Sequence, residues 1–196
     1  AFSRSGLDIA NDLLLGDHVT VRTDDATQLS GSIGDVTGNG RLVKTGAGTL
    51  TLSGTNTYSG GTQLDAGTLA VTGSSALGSG ALQLADGTTL ALAGSDVVLG
   101  NALALEGEGR IDVANGSATV NGVIRDGERS GGIIMMSLAV SPLAAPVPAS
   151  GTLVKTGAGE LVLGADSDYS GGTRIEAGRL RLQVRAAIAG DIAIAA

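Results

Sequence analysis

The chain has 196 residues, and Phe2, Tyr58 and Tyr169 are its only aromatic residues, beside 33 glycines and no cysteine. A hydrophobic content of 42% excludes a disordered chain, and three prolines without a Gly-X-Y period exclude collagen. A net charge of −7 with so few aromatic platforms argues against nucleic-acid binding, and the absence of cysteine excludes disulfides and thiolate chemistry.

Short strands are predicted along the chain, because aliphatic and polar residues alternate in runs bounded by Gly, Asn or Asp. No run has the period, caps and length of a helix. In chain order the clearest runs are residues 50–52, 69–71, 82–84, 90–92, 103–105 and 111–113.

The scarcity of aromatic residues favours one arrangement of these strands. Sandwiches and propellers usually fill wide cores with aromatic side chains, whereas a solenoid is narrow enough for stacked Val, Leu, Ile and Ala. Glycine supplies its tight corners. We therefore predict an all-β fold, a parallel β-helix. At about 20 residues and about 4.8 Å per coil, it would have roughly nine or ten coils.

One segment occurs twice without a gap. Residues 42–71 read LVKTGAGTLTLSGTNTYSGGTQLDAGTLAV, residues 153–182 read LVKTGAGELVLGADSDYSGGTRIEAGRLRL, and 17 of the 30 positions are identical. The offset between these copies is 111 residues, but residues 29–33 match residues 120–124 at an offset of 91. The difference indicates 20 extra residues between positions 124 and 153.

The repeat predicts the organisation of the chain as a single β-helix fragment, 1–196. Residues 1–41 would end one unit, 42–152 would form a full unit with an insertion at 131–150, and 153–196 would start the next. The chain has no start methionine, signal peptide or long apolar span, so we expect a piece of a longer protein without a membrane span.

The insertion, GGIIMMSLAVSPLAAPVPAS, is uncharged and contains every proline and both methionines. Two interpretations stay open: it loops away from the rod and exposes an apolar contact patch, or it folds back as an irregular coil. In the first case the contact residues would be Ile133, Ile134, Met135 and Met136.

Residues 42–71 closely resemble the passenger-associated strand repeat of Gram-negative autotransporters, and residues 153–182 resemble it equally. The resemblance implies a right-handed parallel β-helix that is exported through the outer membrane by its own C-terminal translocator barrel. It implies a secreted or surface location, with repeats that assist export and folding and perform no reaction. The repeat positions expected to have structural roles are Lys44, Gly46, Gly48, Tyr58, Gly60, Gly61, Lys155, Gly157, Gly159, Tyr169, Gly171 and Gly172.

Metal and nucleophile chemistry has few candidates. His18 is the only histidine, and no nucleophile elbow or phosphate-binding motif accompanies it, so we expect a surface or turn residue. The segment 166–171, DSDYSG, opens like a calcium loop, but Ala177 stands where a bidentate glutamate is needed. We therefore predict no metal and no cofactor.

Carboxylate pairs on neighbouring coils could cleave a polysaccharide, and the candidates are Asp24 with Asp25 and Glu106 with Glu108. Sugar sites usually add aromatic stacking surfaces, and we expect both tyrosines to pack over corners instead. We therefore predict no enzyme activity.

Two sets of cations also need an explanation. Lys44 and Lys155 are the only lysines and occupy the same repeat position, either as solvated strand-edge residues or as a charge ladder facing a partner. A late basic cluster, offset only by Glu176, is expected to form a solvated face or contact further coils, or else to bind lipopolysaccharide or an acidic glycan; it comprises Arg174, Arg179, Arg181 and Arg185.

These observations favour a structural and interaction segment: a β-helical stalk of a surface-displayed passenger, such as an adhesin. The alternative is an accessory β-helix of a passenger whose enzymatic domain lies outside this chain, and a third possibility is a polysaccharide-active enzyme. The expected partners are the translocator barrel, which this chain lacks, and a host surface protein or glycan or a second copy of the chain. No nucleic acid is expected among them.

Overall fold

The chain winds into a parallel β-solenoid with three faces. A computed structural model describes residues 6–128, 149–183 and 186–195. All strand pairs in these residues are parallel, and the chain visits the three faces in a fixed order. Among the described residues there is no helix, hence none long and apolar enough to span a membrane.

The strands are numbered along the chain. The first face is a nine-stranded sheet of β1 (Leu7–Ile9), β4 (Thr27–Leu29), β7 (Thr49–Leu52), β9 (Thr68–Val71), β11 (Thr88–Leu92), β14 (Glu108–Asp112), β17 (Thr152–Thr156), β19 (Thr173–Ile175) and β21 (Ile192–Ile194). The third face is a six-stranded sheet of β3 (His18–Arg22), β6 (Arg41–Thr45), β8 (Thr62–Leu64), β10 (Leu82–Leu84), β13 (Leu103–Leu105) and β16 (Ile124–Asp126).

The second face consists of two separate sheets. One pairs β2 (Leu13–Leu15) with β5 (Ile33–Asp35), and the other contains β12 (Val97–Leu99), β15 (Ser117–Val120), β18 (Glu160–Leu163) and β20 (Arg179–Leu182). Between β5 and β12 the chain crosses this face twice without forming a strand, at residues 53–61 and 72–81. The ladder of the second face is therefore interrupted in the middle of the solenoid.

The turns have a nearly constant length. Strands of the first face begin at residues 7, 27, 49, 68, 88, 108, 152, 173 and 192, so a turn takes 19 to 22 residues, except for the 44 residues from 108 to 152. These nine strands delimit eight turns, slightly fewer than the nine or ten expected. The estimate was too high because it counted the extra residues of the long turn as further coils.

The core is made of aliphatic ladders that run along the axis. Leu50, Leu69, Leu90 and Ile111 are in register on the first face and are fully buried. Each such side chain contributes roughly 1.5–3 kcal/mol, so many modest contacts take the place of a few large ones. The prediction of a parallel solenoid with a narrow aliphatic core is confirmed.

Candidate functional site: the corners of the two repeats

The lysine of the first copy points into the solenoid. Lys44 follows Leu42 on the inner side of β6 and is fully buried. Its Nζ donates hydrogen bonds to the carbonyl oxygens of Thr45 (3.1 Å), Gly46 (2.7 Å) and Ala66 (3.0 Å). Because Ala66 belongs to the next turn, the ammonium group joins two stacked corners. Burial lowers the pKa of Lys44, and the charge of Asp24 partly opposes that change.

The lysine of the second copy makes the same contacts. Lys155 is fully buried in β17, and its Nζ donates to the carbonyl oxygens of Thr156, Gly157 (2.7 Å) and Ala177 (3.2 Å). Burial lowers the pKa of Lys155, against the charge of Asp112. Both interpretations of the lysines were wrong, because neither side chain reaches solvent. Alternation within the strand places each lysine on the core side, where backbone carbonyls satisfy the charge.

Each copy also buries its tyrosine at a corner. Tyr58 and Tyr169 are fully buried, and each hydroxyl lies within hydrogen-bond distance of a threonine Oγ1: 2.7 Å to Thr62 and 2.6 Å to Thr173. Burial raises the pKa of Tyr58 to about 12 and raises that of Tyr169 as well. The ring fills the corner where an irregular segment replaces a strand, and its hydroxyl keeps a polar partner.

An aspartate from the preceding turn holds the corner of the first copy. Asp35 Oδ2 accepts hydrogen bonds from the N–H of Ser59 (2.9 Å), from its hydroxyl (2.8 Å) and from the N–H of Gly40 (3.2 Å). The two bonds from Ser59 are the main reason why the pKa of Asp35 is lowered.

Asp126 does the same for the second copy. Its Oδ1 accepts from the N–H groups of Gly151 (2.6 Å) and Ser170 (3.0 Å). Burial acts to raise the pKa of Asp126, but the hydrogen bonds from Ser170 and Gly151 outweigh it, and the net pKa is lowered. Sequence reasoning missed both aspartates. They follow the matched isoleucines at the same spacing, in Ile33-Gly-Asp35 and Ile124-Arg-Asp126, and extending that match would have found them.

A polar side chain also joins the turns beneath each tyrosine. Asn56 Oδ1 accepts the N–H of Ile33 (2.8 Å), and Ser167 Oγ accepts the N–H of Ile124 (3.2 Å). These residues differ between the copies but occupy the same repeat position and bind equivalent partners. The inner hydrogen bonds are therefore shared more closely than the residue types.

The signature glycines permit close stacking of turns. At Gly46, φ is +81°, and an added Cβ would lie 2.3 Å from the carbonyl oxygen of Thr23; at Gly157, φ is +74°, and the clash would be with Val113 at the same distance. A side chain would be both strained and blocked there. An added Cβ would also meet neighbouring atoms of another turn at Gly48, Gly60, Gly61, Gly159, Gly171 and Gly172.

The two copies lie on different faces. β6 belongs to the third face, whereas its counterpart β17 belongs to the first; β7 belongs to the first, and its counterpart β18 to the second. From β6 the chain makes four complete turns, through β8, β10, β13 and β16, and then advances by one more face to β17. Equivalent outer positions therefore point in different directions, and what the copies share is their interior.

Other predicted site residues are not brought together. His18 is exposed, and its Nδ1 lies 2.9 Å from Asp17 Oδ1. In the calcium-like segment, Asp166 Oδ1 accepts the N–H of Ala187 (2.8 Å) as part of the corner. In the part of the chain that the structure describes, no three His, Asp or Glu side chains form a group that could hold a metal ion.

The candidate acids occupy separate environments. Asp24 forms an exposed ion pair with Arg22 at 3.1 Å, and Asp25 is exposed beside it. Glu106 follows β13, and Glu108 begins β14. The carboxylate of Glu108 is fully engaged, because Arg110 and Arg174 bind its two oxygens at 2.5 and 2.9 Å.

The late arginines are offset by more acids than expected. Glu108, Arg110, Glu176 and Arg174 form a closed ring of ion pairs, at 2.5 to 3.2 Å, around the outward but fully buried Val154. Arg181 pairs with Glu160 at 3.3 Å, and Arg179 is exposed. The expectation that Glu176 alone offsets the cluster was wrong, because stacking brings distant acids to the same surface. Arg185 lies outside the described residues, as do Ile133, Ile134, Met135 and Met136.

Together these features define a class: a parallel β-solenoid whose repeated positions are structural corners. Residues 42–71 and 153–182 match the family model of the passenger-associated-transport-repeat. The chain is 38% identical over 161 residues, or 81% of its length, to the adhesin BmaC autotransporter of Brucella suis biovar 1 (strain 1330). The resemblance to an autotransporter passenger with transport repeats is confirmed.

The chain spans about 4% of the length of that relative, so the match covers a small part of a much longer protein. No solved structure matches the chain significantly. The matched segments begin where the second and third units were predicted to begin, at residues 42 and 153. The unit boundaries themselves stay a prediction.

Proposed function

We propose that this chain is a stalk segment of an adhesin-like autotransporter passenger. The passenger is exported through its own translocator barrel, and the solenoid is displayed at the bacterial surface, where it spaces or presents contacts to a host surface. The transport repeats and the similarity to an autotransporter adhesin support this proposal. A continuous aliphatic solenoid also has the regular, extensible form that a stalk needs.

The observation that carries the proposal is the identity of the two interiors on two different faces. A lysine, a tyrosine and an aspartate make equivalent contacts in both copies. A shared binding surface would require equivalent outer positions to face the same way, and they do not. The shared role we assign to the signature residues is therefore the stacking of turns during and after export.

We also assign no reaction to this segment. The candidate acids bind arginines or backbone N–H groups, and the exposed His18 has no nucleophile motif beside it. These contacts support a structural role for the charged residues.

Surface display tests the proposal. The chain is fused upstream of an autotransporter translocator barrel in a Gram-negative host, and display is measured by antibody labelling and protease access on intact cells. We expect efficient display of the parent chain and a several-fold loss in the double variant Tyr58→Ala/Tyr169→Ala, with Thr89→Ala, an outer position of the first face, as control. Equal display of all three would contradict a role of the corners in export.

A further inference from the structure

A groove of about 500 Å³ lies where the second face lacks strands, between β5 and β12. It spans three successive turns, and the side chains that line it are hydroxyls and amides without charge: Asn56, Thr57, Ser74, Ser75, Ser79 and Asn101. An uncharged surface of this kind, in a chain with a net charge of −7, selects a neutral polar ligand.

The base of the groove is held in place by two buried amides. Asn56 and Asn101 are 5% and 6% exposed. Asn101 donates both Nδ2 hydrogens to backbone carbonyls, of Gly78 (3.2 Å) and Gly80 (2.7 Å), so the group it can offer a ligand is its Oδ1 acceptor. Asn56 is fixed in turn by the N–H of Ile33. The base therefore needs no rearrangement to bind.

The rim adds adaptable groups. Thr57, Ser75 and Ser79 are exposed, and a hydroxyl rotates to donate or accept as its partner requires. Val98, 41% exposed, follows the groove on β12 and provides aliphatic surface next to Ser74. Alternating polar and aliphatic contacts are what the hydroxyl edges and the C–H faces of a sugar ring require.

The strand edges beside the groove are already capped, which disfavours a peptide. On β5, Ile33 donates its N–H to Asn56 Oδ1 and accepts the N–H of Thr57, both at 2.8 Å. On β12, the N–H of Val98 donates to Ser74 Oγ at 3.0 Å. A peptide that added as a strand would need these backbone groups.

We propose that this groove binds a short neutral oligosaccharide along the solenoid axis. Successive turns, about 4.8 Å apart, repeat hydroxyl and amide groups along the groove, as successive sugar rings repeat hydroxyls along a glycan. This inference goes beyond the proposed stalk and does not depend on it, because it rests on the groove alone.

The test uses the purified chain on an array of immobilised short oligosaccharides of hexose and N-acetylhexosamine, beside sialylated and sulfated glycans and short peptides. We expect binding to neutral oligosaccharides. The double variant Ser75→Ala/Ser79→Ala should weaken it by at least about tenfold, because two hydrogen bonds are lost. Thr89→Ala, on the first face, is the matched control and should bind as the parent chain does, and circular dichroism checks that all variants are folded.

Three outcomes would overturn the proposal: no neutral oligosaccharide binds, the double variant binds as well as the parent chain, or peptides bind in a way that the double variant abolishes. None of them affects the stalk proposal, which depends on surface display. Conversely, a display defect in the tyrosine variants leaves the glycan measurement on the purified parent chain intact.

Discussion

The two repeat copies have the same interior and different exteriors. In both, a buried lysine binds three carbonyls, a buried tyrosine meets a threonine, and an aspartate of the preceding turn holds a serine. Yet the irregular segment around Tyr58 crosses the second face, and the one around Tyr169 crosses the third. The comparison teaches that the repeat encodes how one turn stacks on the next, not which direction a surface faces.

The exteriors differ in what covers them. Leu69 and Val71, on β9, are fully buried, whereas Leu182, at the corresponding part of β20, is 39% exposed. β9 lies between β7 and β11, while within the described residues β20 pairs with β18 alone. The second copy instead has the ring of ion pairs around Val154. Neighbouring turns, and not the repeat itself, decide how well each copy is covered.

The largest expected effect comes from removing a corner ring. Tyr58→Ala and Tyr169→Ala should each lower the free energy of unfolding by about 3–5 kcal/mol, because a fully buried aromatic side chain leaves a cavity. Denaturant unfolding followed by circular dichroism measures both, with His18→Ala, an exposed ring, as control. A change in one copy only would break the equivalence of the two interiors.

The buried lysines should give the next largest effect. Lys44→Met and Lys155→Met keep the aliphatic stem but leave three backbone carbonyls without a donor, which should cost at least about 1–3 kcal/mol. The control is Arg22→Met, which removes an exposed cation and should change the unfolding free energy by less than about 1 kcal/mol. If Lys44→Met were no worse than Arg22→Met, the carbonyl contacts would not be structural.

Acid should weaken both copies through their aspartates. The pKa values of Asp35 and Asp126 are lowered from 3.8 in the folded chain, so their contribution to stability is complete above that pH and is lost as the pH falls through the lower folded values. The parent chain should therefore lose more stability below pH 3.8 than the variant Asp35→Asn/Asp126→Asn. Thermal unfolding in a pH series compares them, and parallel curves would exclude the two clamps as a source of acid sensitivity.

The smallest effect should distinguish the copies. Glu108→Gln opens the ring of ion pairs next to the second copy, and half-exposed pairs contribute about 0.2–1 kcal/mol each, less at high salt. We expect a loss of about 1 kcal/mol at low ionic strength that shrinks with added salt. Hydrogen exchange locates the loss, which should be confined to β14, β17 and β19. An equal loss in β6 and β8 would show that the ring acts on both copies.

Much of the fold could be predicted from local patterns. The runs at 50–52, 69–71, 82–84, 90–92 and 103–105 all lie in strands, because alternation over a few residues is enough to define a buried and an exposed side. The repeat itself was also visible, and with it the tyrosine corners. The aspartates were missed because each belongs to the turn before the repeat that it holds.

The lysines show why the rest could not be predicted. Lys44 lies on the same side of its strand as Leu42, but a charge usually argues for solvent, and only the carbonyls of Gly46 and Ala66 in the folded corner make its burial tolerable. The arginine cluster failed for the same reason: Glu108 and Arg174 are 66 residues apart in sequence and meet only when turns stack.

The sequence by itself determined that this chain is a stack of short aliphatic strands with glycine corners, since alternation and turn residues act over a few positions and too few aromatic side chains exist for a wide core. The tertiary structure alone decided which face each repeat occupies, where the groove opens and which charges meet. Those features depend on the summed lengths of all intervening turns, of 19 to 22 residues and once of 44, and no local pattern contains that sum.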